Sequence, residues 1–289
     1  MNRRDNGGRD AASLSVVDAH IHLWDTARLR YRWLEAAPGL PRLADSNLFE
    51  RACGQLETAT IRGAVAIQAE CDPDQASEEV EWILKQRAAG APVAAVVAFA
   101  PVERATAAEM LGRYAENPAV RGVRRNIQDE EPGFCRRMAP GVKLLADYGL
   151  SFDICAREHQ LCEVVGLVDA APHTSFVLDH LGKPAVGSGG LRRWQAAILE
   201  LSARPNVSCK LSGLGTEAPP DWSARDVAPY VTHALETFGP RRVMFGSDWP
   251  VCTAAGTYGG WLDVIRSTVP ARLHQEVFNH NASEFYRLA

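Results

Sequence analysis

Short apolar runs rich in Val, Ile and Phe recur at 14–21, 63–69, 93–100, 120–127, 150–156, 175–180, 206–212 and 242–247. Their apolar residues are nearly continuous rather than alternating with polar ones. That is the pattern of parallel strands buried on both faces. Helical stretches lie between most of them, at 46–59, 77–90, 103–116, 140–148, 158–170, 191–203 and 225–238, with two more at 261–268 and 281–288. In the clearest one, Ser77 can cap the start and Gly90 can end it. Glu78 and Glu79 complement its positive end, and Lys85 and Arg87 its negative end. Strands alternating with helices eight times predict an α/β fold, a (β/α)8 TIM barrel. A doubly wound open sheet is the alternative, but no Gly-x-Gly-x-x-Gly loop follows the first run. No Pro- or Ser-rich linker divides the chain, so residues 13–289 are expected as one barrel domain. Residues 1–12, polar and Gly-rich, are expected as a flexible N-terminal tail.

A barrel places its chemistry at the C-terminal ends of its strands. The first run ends in "DAHIHLWD", where His20 and His22 are two residues apart and Asp18 is in phase with them. Residues two apart project to the same side of a strand. Two such imidazoles can supply two of the bonds a zinc ion needs, or can be hydrogen-bonded structural histidines. His180 closes the sixth run, and Asp179 beside it points to the other face of a regular strand. His180 is therefore the residue expected in the pocket, as ligand or proton carrier. Asp248 follows the eighth run in "FGSDWPV". A carboxylate there can bind metal with His20 and His22, or take a proton from water, or serve only as turn chemistry. Of the adjacent Arg124 and Arg125, one faces the interior and needs an anionic or strongly polar partner. Lys210 and Asp153 either line the pocket with Gln68 and Glu70 or pair with each other across the barrel. Trp24, Trp33 and Trp249 are candidates for the wall of a sugar or ring site, or for packing.

Composition narrows the partners. A 289-residue chain with 46% hydrophobic residues can bury a large core. Its net charge of −4 gives no electrostatic case for nucleic acid or an anionic membrane. The seven cysteines are scattered and form no Cys-x-x-Cys pair, so neither a disulfide framework nor a thiolate zinc site is expected. No apolar run reaches the roughly 18 residues of a membrane span, and a cytoplasmic location is the expectation.

The segments "DAHIHLWD", "RGVRR", "FVLDHLGKP", "KLSGL", "FGSDWPV" and "NASEFYRL", in this order, resemble the amidohydrolase superfamily. More narrowly they are similar to its sugar-lactonase and pyrone-dicarboxylate lactonase branch, and within it to the L-fucono-lactonases. The resemblance covers residue 14 to the end. It implies a distorted barrel with metal ligands or catalytic groups at His20, His22, His180 and Asp248. Two-metal members also carry a bridging lysine or glutamate on strand four and a histidine ending strand five. This chain has Arg124 and Arg125 at the former, Asp153 at the latter, and His159 only beyond it. A binuclear centre is therefore not expected. One divalent ion, Zn²⁺ for example, fits, and the branch includes members that work without a required metal. The implied reaction opens an aldonolactone, L-fucono-lactone or a close analogue, to the sugar acid. Asp248 would be the general base, His20, His22 and His180 would stabilise the oxyanion, and Arg124, or else Arg125, would bind the carbonyl or hydroxyls. The rival readings are a metal-dependent decarboxylase of an aromatic or unsaturated acid and a non-catalytic sugar-acid binding protein.

Overall fold

Eight parallel strands pair in chain order in the computed structural model, which describes residues 13–288. They are β1 (Leu14–Ile21), β2 (Ala59–Ile67), β3 (Val93–Phe99), β4 (Val120–Arg124), β5 (Ser151–Ile154), β6 (Phe176–Leu178), β7 (Val207–Leu211) and β8 (Val243–Phe245). Seven of the eight apolar runs contain one of them, and β2 overlaps the run at 63–69 but starts earlier, at Ala59. The expected N-terminal tail, residues 1–12, lies outside the described residues, as does Ala289.

β1 and β8 close the barrel just beyond the end of β8. Ile21 bridges Trp249 in parallel, His22 N–H donates to the Trp249 carbonyl at 2.7 Å, and Asp248 N–H donates to the His20 carbonyl at 2.8 Å. An open sheet has no such join, so the doubly wound alternative fails. The interior is filled mainly by small and branched side chains, among them Val17, Ala19, Val65, Ala95, Val97 and Val177, with the unbranched Met244 beside them. Ala282 and Tyr286 pack into this same cluster from the C-terminal segment.

The outer layer comprises α1 (Ser46–Gly54), α2 (Ala76–Ala88), α3 (Ala107–Ala115), α4 (Phe134–Leu144), α5 (Leu161–Ala170), α6 (Leu191–Ser202), α7 (Ala224–Phe238) and α8 (Tyr258–Thr268), with a short α9 (Asn281–Phe285) after it. Several helix starts differ from expectation, α3 beginning at Ala107 rather than 103, α5 at Leu161 rather than 158 and α8 at Tyr258 rather than 261. Ser77 is not the cap of α2, because a 3-10 turn at Pro73–Gln75 runs straight into the helix and leaves Gln75 at the cap position. α4 begins at Phe134 rather than 140 and carries Pro140 inside it, although proline favours a first turn. Among the described residues no helix is long and apolar enough to cross a membrane.

α4 meets backbone directly. A Cβ on Gly141 would fall on the Val102 carbonyl oxygen in the loop after β3. Gly141→Ala is expected to destabilise the fold by about 1–3 kcal/mol, the usual cost of overpacking. It should appear as a lowered urea midpoint with an unchanged m-value.

Candidate active site

The site starts from a fixed imidazole. His22 Nδ1 lies 2.9 Å from the Ile67 carbonyl, which can only accept. The proton therefore sits on Nδ1, and Nε2 presents a lone pair. His20 Nε2 is 3.2 Å from His22 Nε2. Asp248 Oδ1 is 3.4 Å from His22 Nε2 and 3.6 Å from His20 Nε2. These three donor atoms come from β1, from the residue after it and from the loop after β8. A tetrahedral ion with bonds of about 2.0–2.1 Å separates its ligands by about 3.3 Å. The triangle matches that spacing, and its donor set suits a divalent ion.

A slip in the β1–β2 register between Asp18 and Ile21 separates Asp18 from the two histidines. Asp18 is not in phase with them as its spacing suggests. Its carboxylate accepts from the Ser247 N–H at 2.9 Å and from the Tyr258 hydroxyl of α8 at 2.8 Å. It braces the Asp248 loop from outside. Burial pushes its carboxyl up to about 6.

Strand parity also fails at β6. The strand stops at Leu178, and His180, Leu181, Gly182 and Lys183 all have positive φ, from 46° to 72°. This left-handed turn brings both Asp179 and His180 inward, where a regular strand would admit one. His180 Nδ1 lies 2.9 Å from Ser212 Oγ, and its ring centroid is 4.6 Å from that of His20. Gly213 lets the loop after β7 approach this ring. It has φ +67°, and a Cβ there would sit 2.5 Å from His180 Nδ1.

Beneath His20 lies a buried charge cluster. Lys210 Nζ is 2.5 Å from Asp153 Oδ2, 2.9 Å from Asp179 Oδ1 and 3.2 Å from His20 Nδ1. Asp179 Oδ1 is 3.3 Å from the same His20 nitrogen. Tyr286 donates to Asp153 Oδ2 at 2.7 Å. Arg124 Nη2 donates to the Gln68 carbonyl at 2.5 Å, and its Nη1 is 3.4 Å from Asp179 Oδ2. Two cations and two carboxylates thus balance. Burial holds the imidazoles of His20 and His180 well below their usual range, so both are neutral. Burial raises Asp248, but the polar groups around it, the Lys183 ammonium among them, outweigh it and set that carboxyl below its usual range. Asp179 is likewise held well below, with Lys210 and His20 overcoming burial.

The site opens into a hollow of about 250 Å³. Its lining includes His22, Trp33, Glu70, Arg124, His180 and Asp248 from the expected set. It also includes Asn126, Gln128, Asp129, Cys155 and Lys183, which sequence reasoning did not single out. Lys183 lay within the quoted "HLGKP", yet nothing in the sequence showed the turn that aims it. Its Nζ pairs with Glu217 Oε1 at 3.2 Å. Five expected residues are placed elsewhere. Arg125 turns away to Glu103 and Glu130. Trp24 is fully buried and donates to the Pro41 carbonyl at 2.8 Å. Lys210 and Asp153 are fully buried and paired with each other rather than lining the hollow. Trp249 packs on Phe49 at 4.9 Å between ring centroids.

Imidazoles and a carboxylate converging at the C-terminal face of a (β/α)8 barrel define a barrel hydrolase. The family model described as Amidohydrolase matches residues 17–288. An L-fucono-1,5-lactonase of Burkholderia ambifaria is 30% identical over 286 residues, covering 94% of this chain and 95% of its own length. A second L-fucono-1,5-lactonase, from Burkholderia multivorans, is 32% identical over 277 residues, with 89% of each chain covered. The crystal structure of an amidohydrolase from Burkholderia multivorans with bound zinc superposes with a TM-score of 0.84 at 31% identity, covering 95% of this chain and 99% of that one. The chain belongs to the amidohydrolase family.

Behind the hollow, Glu79 of α2 is fully buried, and its Oε1 accepts from the Ala69 N–H at 2.9 Å. Among the described residues neither its Oε2 nor the Tyr31 hydroxyl has a hydrogen-bond partner. Burial pushes the carboxyl from 4.5 up to about 7. The folded state therefore holds this proton more tightly than the unfolded chain. Its contribution is complete below pH 4.5 and is lost as pH rises to about 7, by roughly 3 kcal/mol at most. Glu79→Gln is expected to flatten that part of the stability profile, measured by urea unfolding at pH 5, 6, 7 and 8. An unchanged slope would refute it.

Proposed function

We propose that this chain hydrolyses a sugar lactone, L-fucono-lactone or a close analogue, to the sugar acid. The observation that carries the reading is the triangle of His20 Nε2, His22 Nε2 and Asp248 Oδ1, 3.2–3.6 Å on a side, at the floor of an open hollow. The printed activities of the two Burkholderia lactonases support the substrate class. Opening a cyclic ester requires a base for water, stabilisation of the tetrahedral oxyanion and a proton for the departing ring oxygen. Asp248, ionised and 4% exposed at the floor, takes the proton from water and returns it to the alkoxide. Arg124 presents a guanidinium to the carbonyl oxygen as negative charge develops there. His180, anchored by Ser212, lies on the same wall and orients the lactone. Trp33, whose indole N–H donates to the Ala69 carbonyl at 2.7 Å, gives the ring an apolar wall.

His20, His22 and Asp248 would hold one divalent ion such as Zn²⁺, which when bound supplies Lewis-acid polarisation. The second cluster of donors, His20, Asp179 and His180, shares His20 and already has the Lys210 ammonium 2.9 Å from Asp179. The residues therefore favour a single ion. Three imidazoles and a carboxylate on one floor exceed what simple binding of a sugar acid needs.

Purified protein should release acid from L-fucono-, L-galactono- or D-arabinono-lactone in a pH-indicator assay, run with and without a chelator to read metal dependence. Asp248→Asn is expected to lower kcat by at least about 10²-fold, the usual contribution of a general base, with an unchanged circular-dichroism spectrum. Full turnover by that variant would remove Asp248 as the base. Carbon dioxide from an aromatic acid in place of lactone opening would favour a decarboxylase.

A further inference from the structure

We propose that Glu70 is a specificity-determining residue of this site, accepting hydrogen bonds from substrate hydroxyls. The proposal rests on the lactonase reading and deepens it, because it selects neutral polyhydroxylated lactones over carboxylated ones.

The chain just after β2 acts as a rail for the site. The Ile67 carbonyl faces His22 Nδ1 at 2.9 Å, the Gln68 carbonyl accepts from Arg124 at 2.5 Å, and the Ala69 carbonyl accepts from Trp33 at 2.7 Å. The Ala69 N–H is held by buried Glu79. Glu70 follows directly, at φ +60°, a conformation a non-glycine residue adopts only under outside constraint. That turn sends its side chain to the wall of the hollow. Gln68 fixes it from both ends. Gln68 Oε1 accepts from the Glu70 N–H at 2.6 Å, and Gln68 Nε2 donates to Glu70 Oε1. Among the described residues no donor is hydrogen-bonded to Glu70 Oε2.

The result is an acceptor-only group on a rigid mount beside an indole. An ionised carboxylate with a free oxygen accepts from hydroxyls and repels another carboxylate. Trp33 beside it offers an apolar face to the C–H side of a sugar ring. Asp129 on the same lining adds negative charge. An unsubstituted or anionic lactone would leave this acceptor unpaired or opposed.

The test compares kcat/KM for L-fucono-1,5-lactone with that for δ-valerolactone, which lacks the hydroxyls. The wild type, Glu70→Ala and Glu70→Gly are measured side by side. Glycine accommodates the left-handed backbone without a carboxylate, so it separates side-chain recognition from loop geometry. Both variants are expected to lower the selectivity ratio by about tenfold or more, through KM more than kcat. A ratio retained by Glu70→Gly, or equal losses on both lactones, would overturn the proposal. Absence of wild-type turnover on every sugar lactone would instead count against the lactonase reading. Calorimetric titration of L-fucose, a neutral polyhydroxylated ring, into the three proteins then decides the role of Glu70, with equal affinities overturning it.

Discussion

One backbone hydrogen bond organises the site: the Asp248 N–H donating to the His20 carbonyl at 2.8 Å. It belongs to the join that closes the barrel, and it acts on the two residues whose side chains form the donor triangle. The last strand, β8, is only three residues long, so the closure falls on the loop that follows it. A functional loop is thereby stitched to β1 with the regularity of a ladder. Asp18 reinforces it by accepting from Ser247, one residue before Asp248, and from α8 behind. Loops ordinarily hold side chains less well than strands do. Here the fold cannot close without bringing the carboxylate against the imidazoles.

Neutral imidazoles need a neutral foundation. An isolated ammonium at the depth of Lys210 would be strongly disfavoured, and so would a lone Asp153 or Asp179. Lys210 and Arg124 against Asp153 and Asp179 leave no excess charge, and Tyr286 anchors the far end. With Nδ1 of His20 occupied on this side, its Nε2 faces His22 and Asp248. The cluster is therefore part of the site, although Arg124 alone of its members lines the hollow. Removing any one member would leave another charge uncompensated, which typically costs about 3–5 kcal/mol.

The barrel was legible because parallel strands covered on both sides are written as continuous apolar runs. His20, His22, His180 and Asp248 were legible because each stands at the end of such a run, and one arginine of Arg124 and Arg125 because an inward arginine on β4 needs polar company; only the structure decides for Arg124. The Lys210–Asp153 pair stood among the alternatives because both are ionisable residues inside apolar strands. What the pattern could not show is where strand parity breaks. Asp179 enters the site through a left-handed turn, while Asp18 leaves it through a register slip. Both depend on backbone torsions set by neighbouring strands. Trp24 and Trp33 look alike in sequence, and only the path of 25–45 decides that one is buried and the other forms a wall.

Those parity breaks share a location. Among the described residues, six non-glycine positions have positive φ: Glu70, His180, Leu181, Lys183, Asp248 and Arg287. Four of them, Glu70, His180, Lys183 and Asp248, line the hollow. Each such backbone costs of order 1–3 kcal/mol where the residue is not glycine, so it persists only where its surroundings force it. A strand presents its side chains alternately to the barrel interior and to the helices, and neither direction is the mouth. To aim a functional group at a substrate over the barrel, the chain must leave strand geometry within one or two residues of its end. The left-handed conformation achieves that most abruptly. The barrel's packed interior supplies the stability that such turns consume, which is why the strained residues gather at the end where β2, β6 and β8 give way to loops.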